Sequence, residues 1–268
     1  LISLLAFKSR NDQWNFWSLN KDVAFFNESS LLSTADGPYF LGLSKSINMG
    51  KSINSHTERR FFPEFDKEFR EKHNKTELLE PSFFEISLLP ISISFFSDLF
   101  DGDLLKTSNY IIPYTAFLTA LSIALLFIVL GFGFEGSIAG LGASLSQSIF
   151  VRTSIGRVDT DLLNIGFFYS ILTLISLSFI SKDLKLKLFF ISFSGLINFL
   201  FTWWYQHPGF LFPFIITIII LQFLYNISFK ISVAQILLFI IFSGPSYVMK
   251  STHSISSFID EFLRFGPS

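Results

Sequence analysis

There is no cysteine in this chain of 268 residues. Disulfide frameworks, thiolate nucleophiles and thiolate zinc sites are excluded at once. Charge is scarce, at 15% of residues, and the formal net charge is −1. No basic excess is available to hold a nucleic acid, and none is expected as a partner. The four histidines (His56, His73, His207 and His253) are scattered, without the spacing of a metal-ligand set. Missing too are a phosphate-binding glycine loop, a dinucleotide fingerprint and a Ser-His-Asp arrangement.

Apolar surface is abundant. The chain is 50% hydrophobic and 18% aromatic, carries 37 Phe and has a mean hydropathy of +0.51. Several uncharged runs approach the length of about 17–25 residues with which a helix crosses a bilayer. The fold class predicted is all-α integral membrane, with the lipid bilayer as a partner and a large first external loop.

Residues 1–7 read as the last turns of a first membrane helix that begins upstream. Residues 8–109 are too charged for lipid and form the first external loop. Inside it, 58–72 alternates charges with Phe61, Phe65 and Phe69, one aromatic stripe of a helix. Such a helix suits a membrane surface or packs on its own loop. The serine-rich stretch 83–100, interrupted by Pro90, reads as a short re-entrant or peripheral helix. Residues 110–243 form a transmembrane bundle of about six spans: 110–130, 137–151, 162–180, 188–205, 210–225 and 229–243. The second is rich in small residues (Gly140, Gly142, Ala143, Ser144), which suits close helix packing. Residues 244–268 are polar again and read as the start of a later external loop that continues past the sequence.

Lys182, Lys185, Lys187 and Lys230 lie on links of the same parity, which the positive-inside rule places in the cytoplasm. Counting crossings puts the first loop, the 152–161 link and the 205–209 turn on the opposite face. Both acidic motifs of interest then share one side of the membrane.

The first of these motifs is Asp159-Thr160-Asp161, on a short link that also carries Arg152 and Arg157. Ionisable groups beside a bilayer are functional candidates by default, because desolvating them is costly. Two roles fit the aspartates. They can grip a hard divalent cation through oxygen, which would neutralise phosphate charge on a departing group. They can instead cap the following helix, where acids meet unpaired N–H groups and the helix dipole. The arginines suit either bidentate phosphate binding or ion pairing with Asp159 and Asp161. The second motif is Asp36-Gly37-Pro38, by itself a turn sequence. Its interest comes from the shared face. Asp101-Gly102-Asp103 reads as turn chemistry. Triplets of the form Asn-x-Ser/Thr begin at Asn27, Asn74 and Asn226, a pattern common by chance in such a composition.

Taken in order, three places resemble the catalytic subunit of oligosaccharyltransferase, above all its single-subunit bacterial and archaeal forms. They are Thr34-Ala35-Asp36-Gly37-Pro38-Tyr39-Phe40, then Arg152-Thr153 with Gly156 and Asp159-Thr160-Asp161-Leu162, then Trp203-Trp204-Tyr205 with Pro208. The resemblance implies a multi-pass lipid-donor (GT-C) glycosyltransferase fold. It implies inverting transfer of an oligosaccharide from a polyprenyl phosphate or pyrophosphate carrier to the Asn of Asn-x-Ser/Thr in an acceptor polypeptide. The implied cofactor is Mn²⁺ or Mg²⁺. By the match, Asp36 is a metal ligand that also touches the acceptor amide, Asp159 is a ligand, and Asp161 ligates or orients the metal. Arg152 is a phosphate-side group. The expected location is a bacterial inner membrane with the site facing the periplasm; the alternative is the endoplasmic-reticulum membrane with a lumenal site.

The chain also departs from the family. Gly37 adds a residue before Pro38-Tyr39-Phe40. The family's acid in a later external loop is not identifiable, and its Trp-Trp-Asp acceptor motif is absent; Trp203-Trp204-Tyr205 is no substitute. The chain by itself is therefore expected to be inactive. Three other readings stay open, one of them a non-catalytic membrane scaffold whose acids are all caps and turns. Another lipid-donor glycosyltransferase would share the fold, but such enzymes tend to carry Asp-Glu where this chain has Asp36-Gly37. An ion-binding transporter would show repeated halves with mid-membrane sites, and neither is visible here.

Overall fold

The structure is a computed structural model that describes residues 1–26, 29–34, 36–50, 86–205 and 211–244. Among these residues the chain is helical apart from one two-residue strand pair. In order come α1 (Ile2–Leu19), α2 (Lys21–Ala24), β1 (Phe25–Phe26), β2 (Ser29–Ser30), α3 (Gly37–Asn48) and α4 (Leu88–Ser97). Then follow α5 (Leu104–Val129), α6 (Gly133–Leu145), α7 (Gln147–Arg152), α8 (Asp161–Ile180), α9 (Leu184–Tyr205), α10 (Leu211–Leu224) and α11 (Phe229–Ser243). The strands pair antiparallel, Phe25 opposite Ser30 and Phe26 opposite Ser29.

Three described helices are long and apolar enough to cross a membrane: Leu104–Val129, Asp161–Ile180 and Leu184–Tyr205. This is compatible with an all-α membrane protein. It differs from the expected set of spans. Leu211–Leu224 and Phe229–Ser243 are apolar but shorter. The expected span at 137–151 is two helices, because Ser146 is extended (φ −60°, ψ 141°) and starts α7 anew. The expected interfacial helix at 58–72, the four histidines and the 244–268 loop beyond Gly244 lie outside the described residues.

The first helix does not stop at Phe7 but runs on to Leu19. Charge alone suggested a loop from Lys8, yet Lys8 and Asp12 pair one helical turn apart at 2.5 Å. Pro90 does not break α4 either. It is the third residue after the cap Ser87, in the first turn, where its missing N–H has no helical partner to lose. The α5 helix starts before Tyr110, at Leu104, because the Asp103 carboxylate accepts from the Lys106 N–H at 2.9 Å. Asp101 and Gly102 supply the left-handed turn before it, with φ of 57° and 77°.

The chain divides into two compact units, Leu1–Leu118 with Ser144–Leu163, and Thr119–Ala143 with Asn164–Ser268. In the second unit Ile171, Ile175, Ile191, Phe201, Phe214 and Phe239 anchor the core. The α9 and α11 helices touch backbone to backbone at Gly195, where a Cβ would lie 2.7 Å from the Phe239 carbonyl. Gly136 and Gly140 play the same part on α6, with Ala120 and Ala124 of α5 beneath them.

A serine- and threonine-rich sequence tolerates these apolar helices because its hydroxyls bond backward along their own helix. Ser44, Thr115, Thr173, Ser194 and Thr202 each donate to a carbonyl three or four residues earlier, at 2.7–2.9 Å.

Candidate functional site

The first unit holds both acidic motifs, and its backbone brings their segments together. The link 152–161 folds as a turn. The Arg157 N–H donates to the Ser154 carbonyl at 3.1 Å, and Gly156, the third residue, has φ +79°, as a type II turn requires. A side chain there is also barred by space. An added Cβ would lie 2.6 Å from the Leu31 carbonyl oxygen and 2.9 Å from Trp17 Cη2.

That close approach lets the turn bond to three distant segments. The Gly156 N–H donates to Asn109 Oδ1 at 2.9 Å, and Asn109 Nδ2 donates to Ser30 Oγ at 2.9 Å. The Ser33 N–H donates to the Gly156 carbonyl at 2.9 Å. The Ile155 N–H donates to Gln13 Oε1 at 3.0 Å. One residue on, the Thr34 hydroxyl donates to the Val158 carbonyl at 3.4 Å across 124 residues, and accepts from the Gly37 N–H at 3.0 Å.

Asp36 sits in this junction, as the cap residue of α3. Its carboxylate makes no capping bond and is exposed. Its carbonyl accepts the first helical bond, from the Phe40 N–H at 3.1 Å. Gly37 and Pro38 then open the helix rather than a free turn.

The aspartate pair lies at the start of α8. Asp161 is in the first turn, and the Leu162 N–H donates to the Asp159 carbonyl at 3.3 Å. The Asp159 carboxylate is 3.5 Å from the Asp161 N–H, at the outer limit of a hydrogen bond. The carboxylates engage the arginines more than the helix end. Arg152, which ends α7, forms an ion pair with Asp161. Arg157 Nη2 stands between the two acids, 3.4 Å from Asp159 Oδ2 and 3.7 Å from Asp161 Oδ2. Asp159 and Asp161 are mostly buried, with side chains 14% and 20% exposed, whereas Arg152 is 53% exposed.

The donor chemistry suits a hard divalent cation, because carboxylate oxygens are the ligands Mg²⁺ and Mn²⁺ prefer. The number of donors is incomplete. Among the described residues no group of three or more Asp, Glu or His is placed to hold a metal ion. Asp36 is therefore brought to the segment that carries Asp159 and Asp161 without joining their cluster. In this arrangement Arg152 and Arg157 together balance the charge of the pair, where a cation would otherwise do so.

The third motif belongs to the second unit. Trp203, Trp204 and Tyr205 end α9 and pack among aromatics: Trp204 is buried with its ring 6.1 Å from Phe167, and Tyr205 stacks on Phe201 at 6.3 Å. Pro208 lies outside the described residues. Sequence reasoning missed Arg10, Gln13 and Asn109, which hold the turn from behind. All three fell inside a region assigned to loop on its charge. An arginine in a stretch whose neighbours fit a helix was the available signal.

No protein-family model matches this chain, and no curated protein matches it.

Proposed function

We propose that the chain is a membrane-embedded glycosyltransferase of the lipid-donor class, similar to the catalytic subunit of oligosaccharyltransferase. It would transfer an oligosaccharide from a polyprenyl phosphate or pyrophosphate to the Asn of Asn-x-Ser/Thr in a polypeptide. The observation that carries this reading is the junction of the two acidic motifs. Ser33 and Thr34 bond to Gly156 and Val158, so residues far apart in sequence sit beside one another as a two-motif site needs.

In this reading Asp159 and Asp161 would hold Mn²⁺ or Mg²⁺, which would supply electrostatic stabilisation of phosphate charge. Arg152 is the exposed cation of the group and pairs with a phosphate oxygen of the donor. Asp36, exposed at the head of α3, accepts a hydrogen bond from the acceptor amide. Arg157 remains with the carboxylates and limits their mutual repulsion.

The test is glycan transfer in membranes of cells that express the full-length protein, with native protein set against Asp36→Asn and Asp159→Asn. Each substitution should lower transfer by about a hundredfold or more while protein level and melting temperature hold. A pair that only caps α8 behaves in the opposite way. Melting temperature then falls with Asp159→Asn, and transfer follows protein level alone.

A further inference from the structure

Among the described residues Arg10 is the largest fully buried side chain, and it is charged. It projects from α1 onto the end of α7. Its Nε lies 3.3 Å from the Thr153 carbonyl and 3.2 Å from the Thr153 hydroxyl, and Nη2 donates to that hydroxyl at 2.7 Å. Nη1 donates to Ser9 Oγ at 2.7 Å, and the guanidinium lies 4.1 Å over the Phe150 ring. Phe150 and Thr153 flank Arg152 on the same turn. Gln13, one turn further along α1, holds the Ile155 N–H. The link is thus gripped at two points by one helix.

We propose that Arg10 is a positioning residue, which acts through Thr153 to set the direction in which Arg152 and the Asp159–Asp161 pair are presented. The role of the link in catalysis rests on the function proposed above; the placement of the link does not. Burial of a guanidinium is costly, and here it brings the group down to about 10. A leucine or methionine would fill the same space without that cost. What only arginine supplies is a rigid fork of donors. The fork meets both the hydroxyl and the carbonyl of one residue, and so fixes rotation as well as distance.

The lack of cysteine makes the test direct. Ser154→Cys carries a nitroxide spin label as the only thiol of the full chain in lipid nanodiscs. Electron paramagnetic resonance then reports motion of the link well below the melting temperature. Arg10→Met and Thr153→Val should each release the label several-fold, and the double variant should release it no further. Thr153→Ser, which keeps the hydroxyl, should hold it still. Mn²⁺ affinity of the unlabelled chain should fall by about ten- to a hundredfold in Arg10→Met.

A label equally immobile in native protein, Arg10→Met and Thr153→Val overturns the proposal, even where melting temperature drops. So does a released label with unchanged Mn²⁺ affinity, provided that Asp159→Asn abolishes Mn²⁺ binding. Mn²⁺ binding that survives Asp159→Asn refutes the cation reading of the site instead. Release of the label in Arg10→Met then still supports Arg10 as the residue that places the link.

Discussion

Replacing Gly156 with alanine should damage the site more than any other single methyl group. Two separate penalties meet there. The backbone is left-handed, at φ +79°, which costs an L side chain about 1–2 kcal/mol. The new Cβ also lies 2.6 Å from the Leu31 carbonyl oxygen and 2.9–3.1 Å from the Trp17 ring. A backbone oxygen cannot rotate away, so relief means moving the turn. That adds about 1–3 kcal/mol of overpacking and stretches the Gly156 bonds to Asn109 and Ser33. The sum is about 2–5 kcal/mol. For a chain of this size that lowers the melting temperature by roughly 5–15 °C. Gly102→Ala is the internal control. It shares the backbone conformation, at φ +77°, but a Cβ there meets nothing within 4 Å. Only the first penalty applies to it, about 1–2 kcal/mol. Thermal unfolding of both variants in one detergent isolates the close approach. If the two differ by less than about 0.5 kcal/mol, the contact of Gly156 with Leu31 and Trp17 is not what the turn depends on.

Asn109→Ala removes both links of the buried amide, to Gly156 and to Ser30, and leaves a buried N–H unpaired. A loss of about 2–4 kcal/mol is expected, together with faster amide exchange at Gly156; unchanged exchange would count against the role given to Asn109. In the second unit, Gly195→Ala puts a Cβ 2.7 Å from the Phe239 carbonyl and 2.9 Å from Phe242 Cβ. Denaturant titration should show a loss of about 1–3 kcal/mol. Gly142→Ala on α6 meets nothing within 4 Å and should be neutral or gain up to about 1 kcal/mol from helix propensity. Similar losses in both glycine variants would contradict the packing described.

Legibility in the sequence followed physical scale. The long apolar runs identified α5, α8 and α9 as membrane-length helices, because a run of that size has few alternatives to a helix. Boundaries were less legible. Lys8 and Asp12 looked like loop because charge was counted and the pair they form one turn apart was not. The small-residue run at 137–151 looked like one span, although the extended backbone at Ser146 divides it. The candidate residues Asp36, Arg152, Asp159 and Asp161 were visible by type and spacing. Their supports were not, because Asn109, Gln13 and Arg10 act across 47, 142 and 143 residues.

By itself, the sequence determined composition-level physics. Without cysteine the chain could form no disulfide, and its apolar runs had to be helices that satisfy their own backbone. Only the tertiary structure decided which loops meet. Ser33 and Thr34 reach Gly156 and Val158 through hydrogen bonds whose partners no local pattern encodes. Whether three aspartates converge or two pair with arginines is likewise a matter of ångströms. Those distances are set by how α1, the Leu31 and Ser33 segment and α5 pack around one left-handed glycine.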